Sequence, residues 1–441
     1  MGKTVAYAGG EHTLFYDSEK KSLFSAGACG LGWCRNHPIN EALFHLRKVE
    51  LGGSVSGSEP CGLFRASYYH NLAVDTRGQL YSWGCGTFVD AVKDGKPNLD
   101  GVIPALGLRA NITTDLGEPP SPIALVPDDP HNIRDPIVAL SAGAYHSVVL
   151  SSLGIVYTFG AGQLGQLGRP ISTTTSAQTD SSGLPVDSKP SPVQGIAPDE
   201  GKVSAIGAGF YNTFAIVGPS RRLYCSGENQ NKQCGEGPRN LREMVRVKEI
   251  KDSVDIVEGG YCHTLVKTVA GNVFSLGCGE EGQRGDGRVV DDDDDNDDAE
   301  DVEPRETITP VELPKGSRAI DIAAGANHSV VLRDDGVAYT FGANDVGQCG
   351  ISSSEVTNDE DGSPVLSPQA VTIPQGAGRV VGVSAGYAHT VLTTSKNRVF
   401  VFGQNDNGQL GIGTKSASDG EGFDCDPSLL PLEVKLNDTS N

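Results

Sequence analysis

The stretch AGANHSVVL at residues 324–332 decides the fold, because it returns elsewhere in the chain with its spacing intact. A turn follows it, then AYTFG at residues 338–342 and the tight segment GQCG at 347–350. A second copy, AGAYHSVVL, starts at Ala142 and continues with VYTFG from Val156. A unit that recurs in this way predicts a repeat architecture before any single strand is assigned.

The histidine of this unit shows how many copies of the repeat the chain contains. Seven segments align on it, with histidine in six of them and asparagine in the fourth. The seven positions are His12, His70, His146, Asn212, His263, His328 and His389. Six of the nine histidines in the chain therefore occupy one repeat position. We predict seven structural units of similar design.

Each unit has enough strands for one blade of a β-propeller. Two apolar strands are evident, as at His328–Leu332 and Val337–Phe341. A third precedes the Ala-Gly pair, as at Ala319–Ala323, and a fourth follows the loop, as at Pro310–Leu313. Four strands per unit is typical of a propeller blade. We therefore predict an all-β, seven-bladed propeller that forms a single domain over residues 1–441.

The two ends of the sequence suggest how the ring closes. Thr4–Ala8 is a strand-like segment before the first Ala-Gly pair, and Pro431–Leu436 has no later unit to join. We therefore expect the N- and C-terminal strands to pair in one blade. Such pairing would remove the exposed sheet edges from the closure.

The repeat histidines are expected to be structural. A buried ring nitrogen needs a partner, so we expect a hydrogen bond to the backbone of a neighbouring blade. Asn212 fits this role, since an amide can replace a hydrogen-bonding ring but cannot replace a catalytic base. Equivalent positions lie apart around a ring, so the histidines are not expected to share a metal ion.

Charge narrows the classes of partner. The formal net charge is −21, and an acidic surface repels phosphate backbones, so direct nucleic-acid binding is not expected. The most acidic stretch is interpreted as a solvated loop of about residues 288–316, between the fifth and sixth blades, that meets a basic protein surface. Its candidate binding residues are Asp291, Asp292, Asp293, Asp294, Asp295, Asp297 and Asp298.

Targeting signals and cysteine spacing bear on location. Met1–Ala8 contains no apolar run, and no stretch of about 18 apolar residues occurs, so neither a signal peptide nor a membrane span is expected. Ten cysteines are too dilute for a disulfide scaffold, and none forms a C-x-x-C pair. We expect a reducing compartment, cytosol or nucleus, with the cysteines as small buried residues.

Two glycine-rich segments resemble a dinucleotide-binding turn. Gly160–Gly165 and Gly277–Gly282 match G-x-G-x-x-G. Other copies of the repeat have Asn344 or Asn405 at the same place, and glycine and asparagine share tolerance for a left-handed backbone. We interpret both segments as turns and expect no cofactor.

Four long insertions follow the same repeat element, so a blade repeat projects them from one face. Long loops on a rigid scaffold often carry binding residues. The insertions, which are expected to form long loops, span about residues 87–136 (Thr87–Pro136), 169–201 (Arg169–Gly201), 288–316 (Arg288–Gly316) and 351–378 (Ile351–Gly378).

These motifs resemble the repeat of the regulator-of-chromosome-condensation family. Leu140–Leu150 and Ile322–Leu332 are similar to one family signature, and Gly342–Asp345 and Gly403–Asp406 to its Gly-x-Asn-Asp signature. The resemblance extends from about residue 4 to 436. It implies the propeller fold, whereas the family's functions include exchange factors for small GTPases, ubiquitin-ligase modules, photoreceptors and scaffolds.

The resemblance and the residues together favour a protein-binding scaffold. The family's ultraviolet photoreceptor needs clustered tryptophans, whereas this chain has only Trp33 and Trp83, at different repeat positions. No catalytic residue is assigned, and whether the chain is an enzyme stays open. We expect a monomer that binds a protein partner through one loop-bearing face. The alternative is a guanine-nucleotide exchange factor for a Ran-like small GTPase.

Overall fold

The described part of the chain forms seven antiparallel sheets of four or five strands, each of which corresponds to one sequence unit, and a separate two-stranded sheet. The computed structural model describes residues 3–27, 45–51, 59–84, 92–93, 96–97, 118–126, 129, 131–171, 178–179, 185–288, 307–351, 363–413 and 427–435. Each of the seven larger sheets is one blade of a propeller, so the predicted all-β class and the number of blades are confirmed.

The strands of each blade are numbered from the axis outward as first, second, third and outer strand, and in blade 3 a fifth strand of two residues lies beyond the outer strand. Blade 1 contains β1 (Thr4–Ala8), β2 (His12–Asp17), β3 (Ser22–Gly27) and β4 (Arg47–Val49). Blade 2 contains β5 (Pro60–Ala66), β6 (His70–Asp75), β7 (Leu80–Gly84) and β10 (Glu118–Ile123), and the separate ribbon consists of β8 (Val92–Lys93) and β9 (Lys96–Pro97). Blade 3 contains β11 (Ile137–Ala142), β12 (His146–Ser151), β13 (Val156–Ala161), β14 (Gln178–Thr179) and β15 (Pro185–Pro192). Blade 4 contains β16 (Val203–Ala208), β17 (Asn212–Val217), β18 (Arg222–Glu228) and β19 (Asn240–Arg246), and blade 5 contains β20 (Val254–Gly259), β21 (His263–Thr268), β22 (Val273–Gly277) and β23 (Ile308–Pro310). Blade 6 contains β24 (Ala319–Ala324), β25 (His328–Arg333), β26 (Ala338–Gly342) and β27 (Val365–Ala370), and blade 7 contains β28 (Val380–Ala385), β29 (His389–Thr394), β30 (Val399–Gly403) and β31 (Ser428–Val434).

The apolar runs of the repeat form the strands that are covered on both sides. The second strands β12 and β25 are buried along their whole length, because the neighbouring blades pack on both of their faces. A continuous apolar run is the pattern expected of such a strand. The outer strand β23 covers Ile308–Pro310 and so shares only Pro310 with the predicted Pro310–Leu313, although the N–H of Val311 still bonds the Val273 carbonyl.

The prediction that the terminal strands pair in one blade is wrong. β31 pairs with β30, with Val434 opposite Val399, and β1 pairs with β2, with Ala8 opposite Thr13. The reason is that each sequence repeat begins with the first strand of a blade and ends with the outer strand of the same blade. Thr4–Ala8 already supplies the first strand of blade 1, and β31 supplies the outer strand of blade 7, so each blade is complete without the other.

The ring closes through a packed seam between blades 7 and 1. Phe15 and Phe24 of blade 1 share a buried apolar cluster with Val399 and Val401 of blade 7. The amide of Ala8 also donates to Ser384 Oγ at 3.0 Å. These contacts close the ring without shared β-pairing.

Strand direction places two kinds of connection at the same end of every blade. Because neighbouring strands are antiparallel, the connection from first to second strand and the one from third to outer strand share one end. The repeat histidine starts the second strand there, so we call this end the histidine face. The N-terminal ends of the four insertion ranges follow third strands and lie at this face. Their C-terminal ends, at Pro136, Gly201, Gly316 and Gly378, precede first strands and lie at the opposite face, because the outer strands β10, β15, β23 and β27 fall within the ranges. The expected projection from one face therefore does not apply to the parts of the insertions that follow the outer strands.

The two G-x-G-x-x-G segments form turns after third strands. In the first, the amide of Gly165 donates to the Gly162 carbonyl, and Gly165 has a φ of +92°. In the second, Gly282 bonds Gly279 in the same way, with a φ of +75°. Within the described ranges, no helix has the length and apolar character needed to cross a membrane.

Candidate protein-binding face

The repeat histidines link one blade to the next. In six blades the histidine Nε2 lies 2.6 to 3.0 Å from a side-chain oxygen at the position after the repeat histidine of the following blade. The pairs are His12–Asn71, His70–Ser147, His146–Thr213, His263–Ser329, His328–Thr390 and His389–Thr13. The partner is a side chain, where the sequence suggested backbone. The last pair spans the closing seam.

The partner hydroxyls fix which ring nitrogen carries the proton. Thr213 Oγ1 donates to the Gln166 carbonyl at 2.7 Å, and Thr390 Oγ1 donates to the Gln348 carbonyl at the same distance. A hydroxyl has one proton to give. It must therefore accept from the histidine, so the ring is the neutral tautomer with hydrogen on Nε2. The links at Thr13, Thr213, Ser329 and Thr390 thus join two blades through both a side chain and a backbone carbonyl.

Five of the six histidines have a glycine three residues earlier, and this glycine makes room for the ring. In blade 2 the same position is Ser67, whose Oγ lies 3.0 Å from His70 Nδ1. A Cβ on Gly143 would lie 2.3 Å from His146 Cε1 and 2.4 Å from the Gly209 carbonyl oxygen of the next blade. Neither distance is sterically allowed, so only glycine fits here. The Ala-Gly-x-x-His motif is therefore one packed unit at the seam between two blades.

Asn212 breaks this pattern. Its Nδ2 donates to the Glu228 carbonyl at 2.6 Å and contacts Cys234 Sγ at 3.3 Å, both within its own blade. Thr264 of blade 5 still donates to the Gln233 carbonyl at 2.8 Å. The side-chain amide of Asn212 thus makes its hydrogen bonds within blade 4 and does not reproduce the bond to the next blade that a histidine ring makes. The seam between blades 4 and 5 therefore lacks the histidine bond that the other six seams have, although Arg221 of blade 4 bonds Asp255 and the Val254 carbonyl of blade 5 across it.

Burial keeps the six histidines neutral. It lowers their pKa values, since a charged imidazolium would lose its hydration inside the seam. The pKa is about 4 at His12 and His146, and about 3 at His70, His263, His328 and His389. Among the residues that the structure describes, no three His, Cys, Asp or Glu side chains are grouped to hold a metal ion.

The loops that precede the histidines form a rigid ring around the axis. The amide of Phe210 donates to Gly260 of the next blade, Tyr261 donates to Ala326, and Tyr387 donates to Gly9 across the closing seam, at 3.0 to 3.1 Å. Backbone bonds from loop to loop leave little freedom for the side chains mounted on them. The ring is therefore a preorganised platform on the histidine face.

Seven aromatic rings stand on this platform, and we call them the aromatic mouth. They are Tyr68, Tyr69, Tyr145, Phe210, Tyr211, Tyr261 and Tyr387, from blades 2, 3, 4, 5 and 7. The ring of Tyr68 in blade 2 has its centroid 4.0 Å from that of Phe210 in blade 4 and 5.0 Å from that of Tyr387 in blade 7. These blades are not adjacent, so the rings meet over the axis.

The mouth is both packed and accessible. Tyr69 and Tyr145 stack at 4.9 Å, while Tyr261 and Tyr387 remain 46% and 42% exposed. The sequence prediction did not include these rings. Their signal is positional, since six of the 12 tyrosines in the chain occupy the two positions before the repeat histidine.

A channel of about 370 Å³ lies along the axis and is lined by the first strands of all seven blades. Arg65, Glu258 and Asp321 put charge into it. Burial raises the pKa of Glu258 to about 7 and that of Asp321 to about 6, and the positive charge of Arg65 opposes both shifts. The Arg65 guanidinium lies 4.2 Å from the ring centroid of Tyr7. Charge networks of this kind occur in structural cores as well as in active sites.

Four cysteines are paired, which corrects the expectation of isolated thiols. Cys225 bonds Cys234 in blade 4, and Cys262 bonds Cys278 in blade 5, with Cα atoms 5.7 and 5.6 Å apart. Both pairs flank the seam at Asn212. Cys349 remains a buried free thiol, and burial raises its pKa.

The aspartates of the acidic run lie outside the described residues. The chain leaves blade 5 at Arg288 on the histidine face and is described again from Thr307, which precedes β23. Asp291 to Asp298 therefore belong to a segment that starts and ends at the face that carries the aromatic mouth.

Comparison with known proteins identifies repeat models and relatives that match this chain. Models described as the Regulator of chromosome condensation (RCC1) repeat match residues 154–216, 270–332 and 335–393, and a second such model matches 137–166, 319–348 and 380–409. The chain is 29% identical to the Ultraviolet-B receptor UVR8 of Arabidopsis thaliana over 78% of its length and 65% of the receptor's. It is 27% identical to the Regulator of chromosome condensation of Xenopus laevis over 70% of its length and 68% of the relative's.

A solved structure shares the whole fold. Prp20p from Saccharomyces cerevisiae, whose structure was described together with its binding to Gsp1p and histones, superposes with a TM-score of 0.70 at 19% identity. The match covers 99% of this chain and 88% of Prp20p. The chain spans about two thirds of the length of the curated relatives above. Its matched repeats, seven blades and shared fold show that it belongs to the regulator-of-chromosome-condensation (RCC1) repeat family.

Proposed function

We propose that this protein is a scaffold that binds a partner protein on its histidine face, with the aromatic mouth as the anchor. One observation carries the proposal: seven aromatic rings from five blades meet over the axis on a ring of backbone hydrogen bonds. Catalytic chemistry plays no part in this function. The family supports a propeller scaffold without naming the partner.

The physics of interfaces supports this choice of anchor. Tyrosine and tryptophan are enriched among the residues that dominate binding energy, because a rigid ring buries much apolar area at little entropic cost. Tyr261 and Tyr387 offer exposed ring surface, and their neighbours in the mouth hold them in place. Because the platform is already ordered, binding does not have to order it.

A capture experiment with matched variants tests the proposal. Full-length protein is used as bait in an extract of its source, beside Tyr261→Ala/Tyr387→Ala and a control, Ile320→Ala/Val381→Ala. The control residues are 44% and 43% exposed and lie at the opposite ends of first strands in blades 6 and 7. Quantitative mass spectrometry should show partners that the control retains and the tyrosine variant loses. Equal recovery by all three baits would contradict the proposal.

We propose a second contact for the acidic run. Asp291, Asp292, Asp293, Asp294, Asp295, Asp297 and Asp298 would meet a basic surface of the same partner, because opposite charges steer association. Replacing these seven residues by asparagine should lower the association rate and its salt dependence, measured by surface plasmon resonance with the captured partner. An unchanged rate at low salt would exclude the contact.

Nucleotide exchange on a Ran-like GTPase is the second candidate. It rests on the family and on relatives named regulators of chromosome condensation. Prp20p binds Gsp1p, so Gsp1p loaded with fluorescent GDP is a suitable substrate. If this candidate is correct, catalytic amounts of the protein accelerate GDP release, and Tyr261→Ala/Tyr387→Ala slows it. Release at the intrinsic rate of the GTPase would eliminate exchange for that partner.

A further inference from the structure

One repeat position on the histidine face is acidic in three consecutive blades. The residue after the Gly or Asn that follows the third strand is Glu280 in blade 5, Asp345 in blade 6 and Asp406 in blade 7. The same position is Gln163 in blade 3 and Gln230 in blade 4. With the adjacent Glu281, all of the acidic residues are exposed, and we call the four carboxylates the acidic arc.

The charge of the arc faces neutral partners at two of its members. Asp345 accepts a hydrogen bond from the side-chain amide of Gln348 at 2.6 Å, and Asp406 accepts one from Gln404 at 2.7 Å. These amides orient the carboxylates but carry no charge, and no Lys or Arg of the described residues forms an ion pair with Asp345 or Asp406. A cation supplied from outside would complete the local electrostatics.

The arc shares its blades with the most exposed rings of the aromatic mouth. Tyr261 belongs to blade 5 and Tyr387 to blade 7, and both stand on the same face as the arc. The faces of tyrosine rings attract guanidinium and ammonium groups, and carboxylates attract the same groups. Blades 5 to 7 therefore combine two independent features that favour cations, whereas blades 3 and 4 carry neutral glutamines at the arc position.

We propose that blades 5 to 7 of the histidine face form a docking site for an arginine- or lysine-rich protein segment. Its cationic side chains lie over Tyr261 and Tyr387 and pair with Glu280, Glu281, Asp345 and Asp406. The proposal rests on the proposed function, since it names the chemistry of the partner that the aromatic mouth binds. Arginine is favoured over lysine, because its planar guanidinium both stacks on a ring and bonds a carboxylate in a bidentate manner.

A fluorescein-labelled peptide of nine arginines serves as the probe. Its affinity is measured by fluorescence anisotropy for the full chain, with the seven acidic-run aspartates replaced by asparagine in every protein so that the run cannot compete. The arc variant is Glu280→Gln/Glu281→Gln/Asp345→Asn/Asp406→Asn. The control is Glu50→Gln/Asp199→Asn/Asp252→Asn/Glu312→Gln, which makes the same charge change at four exposed residues in connections at the opposite face.

We expect the arc variant to bind the peptide about tenfold more weakly and the control to stay within about twofold. Tyr261→Ala/Tyr387→Ala should weaken binding about fivefold, and nine lysines should bind less tightly than nine arginines. Equal losses in arc and control variants would overturn the proposal, since net charge alone would then explain binding. If that occurs while the tyrosine variant still loses its captured partner, the scaffold function stands and the partner is not basic.

Discussion

At four seams the side chain after the repeat histidine makes two hydrogen bonds to the preceding blade, one with the histidine ring and one with a backbone carbonyl. In blade 7, Thr390 accepts from His328 and donates to Gln348 of blade 6. In blade 5, Thr264 has the carbonyl partner Gln233 but faces Asn212, which bonds within its own blade. The histidine bond that only the first of these two seams has is a hydrogen bond between neutral groups, with a contribution of about 1 kcal/mol.

A double-mutant cycle can measure that difference. We expect His328→Ala and Thr390→Val to show a coupling of about 1 kcal/mol in the free energy of unfolding, because the two side chains bond each other. The matched cycle, Asn212→Ala with Thr264→Val, should show coupling near zero. Urea denaturation followed by circular dichroism gives both values. Equal coupling at the two seams would contradict the geometry.

The buried histidines make stability depend on pH. On folding, their pKa values fall from 6.5 to about 3 or 4, so below pH 6.5 the unfolded chain binds more protons than the folded one. Stability present above pH 6.5 is therefore lost as the pH falls, by about 2 kcal/mol per histidine at pH 5. Glu258 and Asp321, whose pKa values are raised, act in the opposite sense and offset part of this loss.

The denaturation midpoint in urea should accordingly be lower at pH 5.0 than at pH 7.5. His328→Asn supplies the control, since it removes one titrating group and should reduce the pH-dependent loss by about 2 kcal/mol while lowering stability at pH 7.5. A midpoint that does not change between the two pH values would show that the histidines are not buried as neutral rings.

The turn after the third strand is held by one contact that recurs from blade to blade. In blade 3, Thr158 donates to the Leu167 carbonyl at 2.6 Å, and in blade 6 Thr340 donates to the Cys349 carbonyl at the same distance. In blade 4, Cys225 and Cys234 occupy these two positions and form a disulfide. A covalent bond thus replaces the hydrogen bond in the blade that also lacks the repeat histidine.

Reduction should therefore destabilise blade 4. A disulfide that closes a loop of nine residues contributes about 3 kcal/mol through the unfolded chain. We expect a thiol reductant to lower the melting temperature of the wild type. Cys225→Thr/Cys234→Leu, which copies the pair of blade 3, should lose less on reduction. Its residual loss reports the Cys262–Cys278 bond, and alkylation with mass spectrometry establishes which cysteines are paired.

The repeat allowed most strands to be predicted, because a strand buried on both faces leaves a continuous apolar run. The first strand expected at Ala319–Ala323 is observed as Ala319–Ala324. The outer strand expected at Pro310–Leu313 lies instead at Ile308–Pro310. Outer strands are half exposed, so their register depends on pairing with the third strand and leaves a weak pattern in the sequence.

The site was harder to predict for a different reason. The histidine position was found by counting, but its partner lies on the next blade, some 60 residues away, and no local pattern shows that distance. The aromatic mouth depends on rings such as Tyr68 and Phe210 meeting across the axis. Such contacts exist only once the ring has closed. The behaviour of Asn212 likewise follows from Cys234, a neighbour that only the folded blade provides.

The closing seam resembles the other seams of the molecule, so the position of the chain ends should be interchangeable. His389 bonds Thr13 at 2.9 Å, as His328 bonds Thr390, and no strand is exchanged between blades 7 and 1. We expect a circular permutant with new ends between β19 and β20, and residues 435 and 3 joined by a flexible linker, to fold with a similar melting temperature. New ends between β20 and β21 would split a blade and should destabilise the protein. If the two permutants melt alike, blades are not the cooperative units.

No histidine ring bridges the seam at Asn212, although Arg221 bonds Asp255 across it. We expect the loops before the repeat position to open more often at this seam than at the six seams that a histidine bridges. Phe210 and Tyr261 stand on opposite sides of the seam at Asn212, 4.9 Å apart. Amide hydrogen exchange should therefore be faster in the loops between the first and second strands of blades 4 and 5 than in the corresponding loops of the other blades. A bound partner that contacts both loops should slow this exchange.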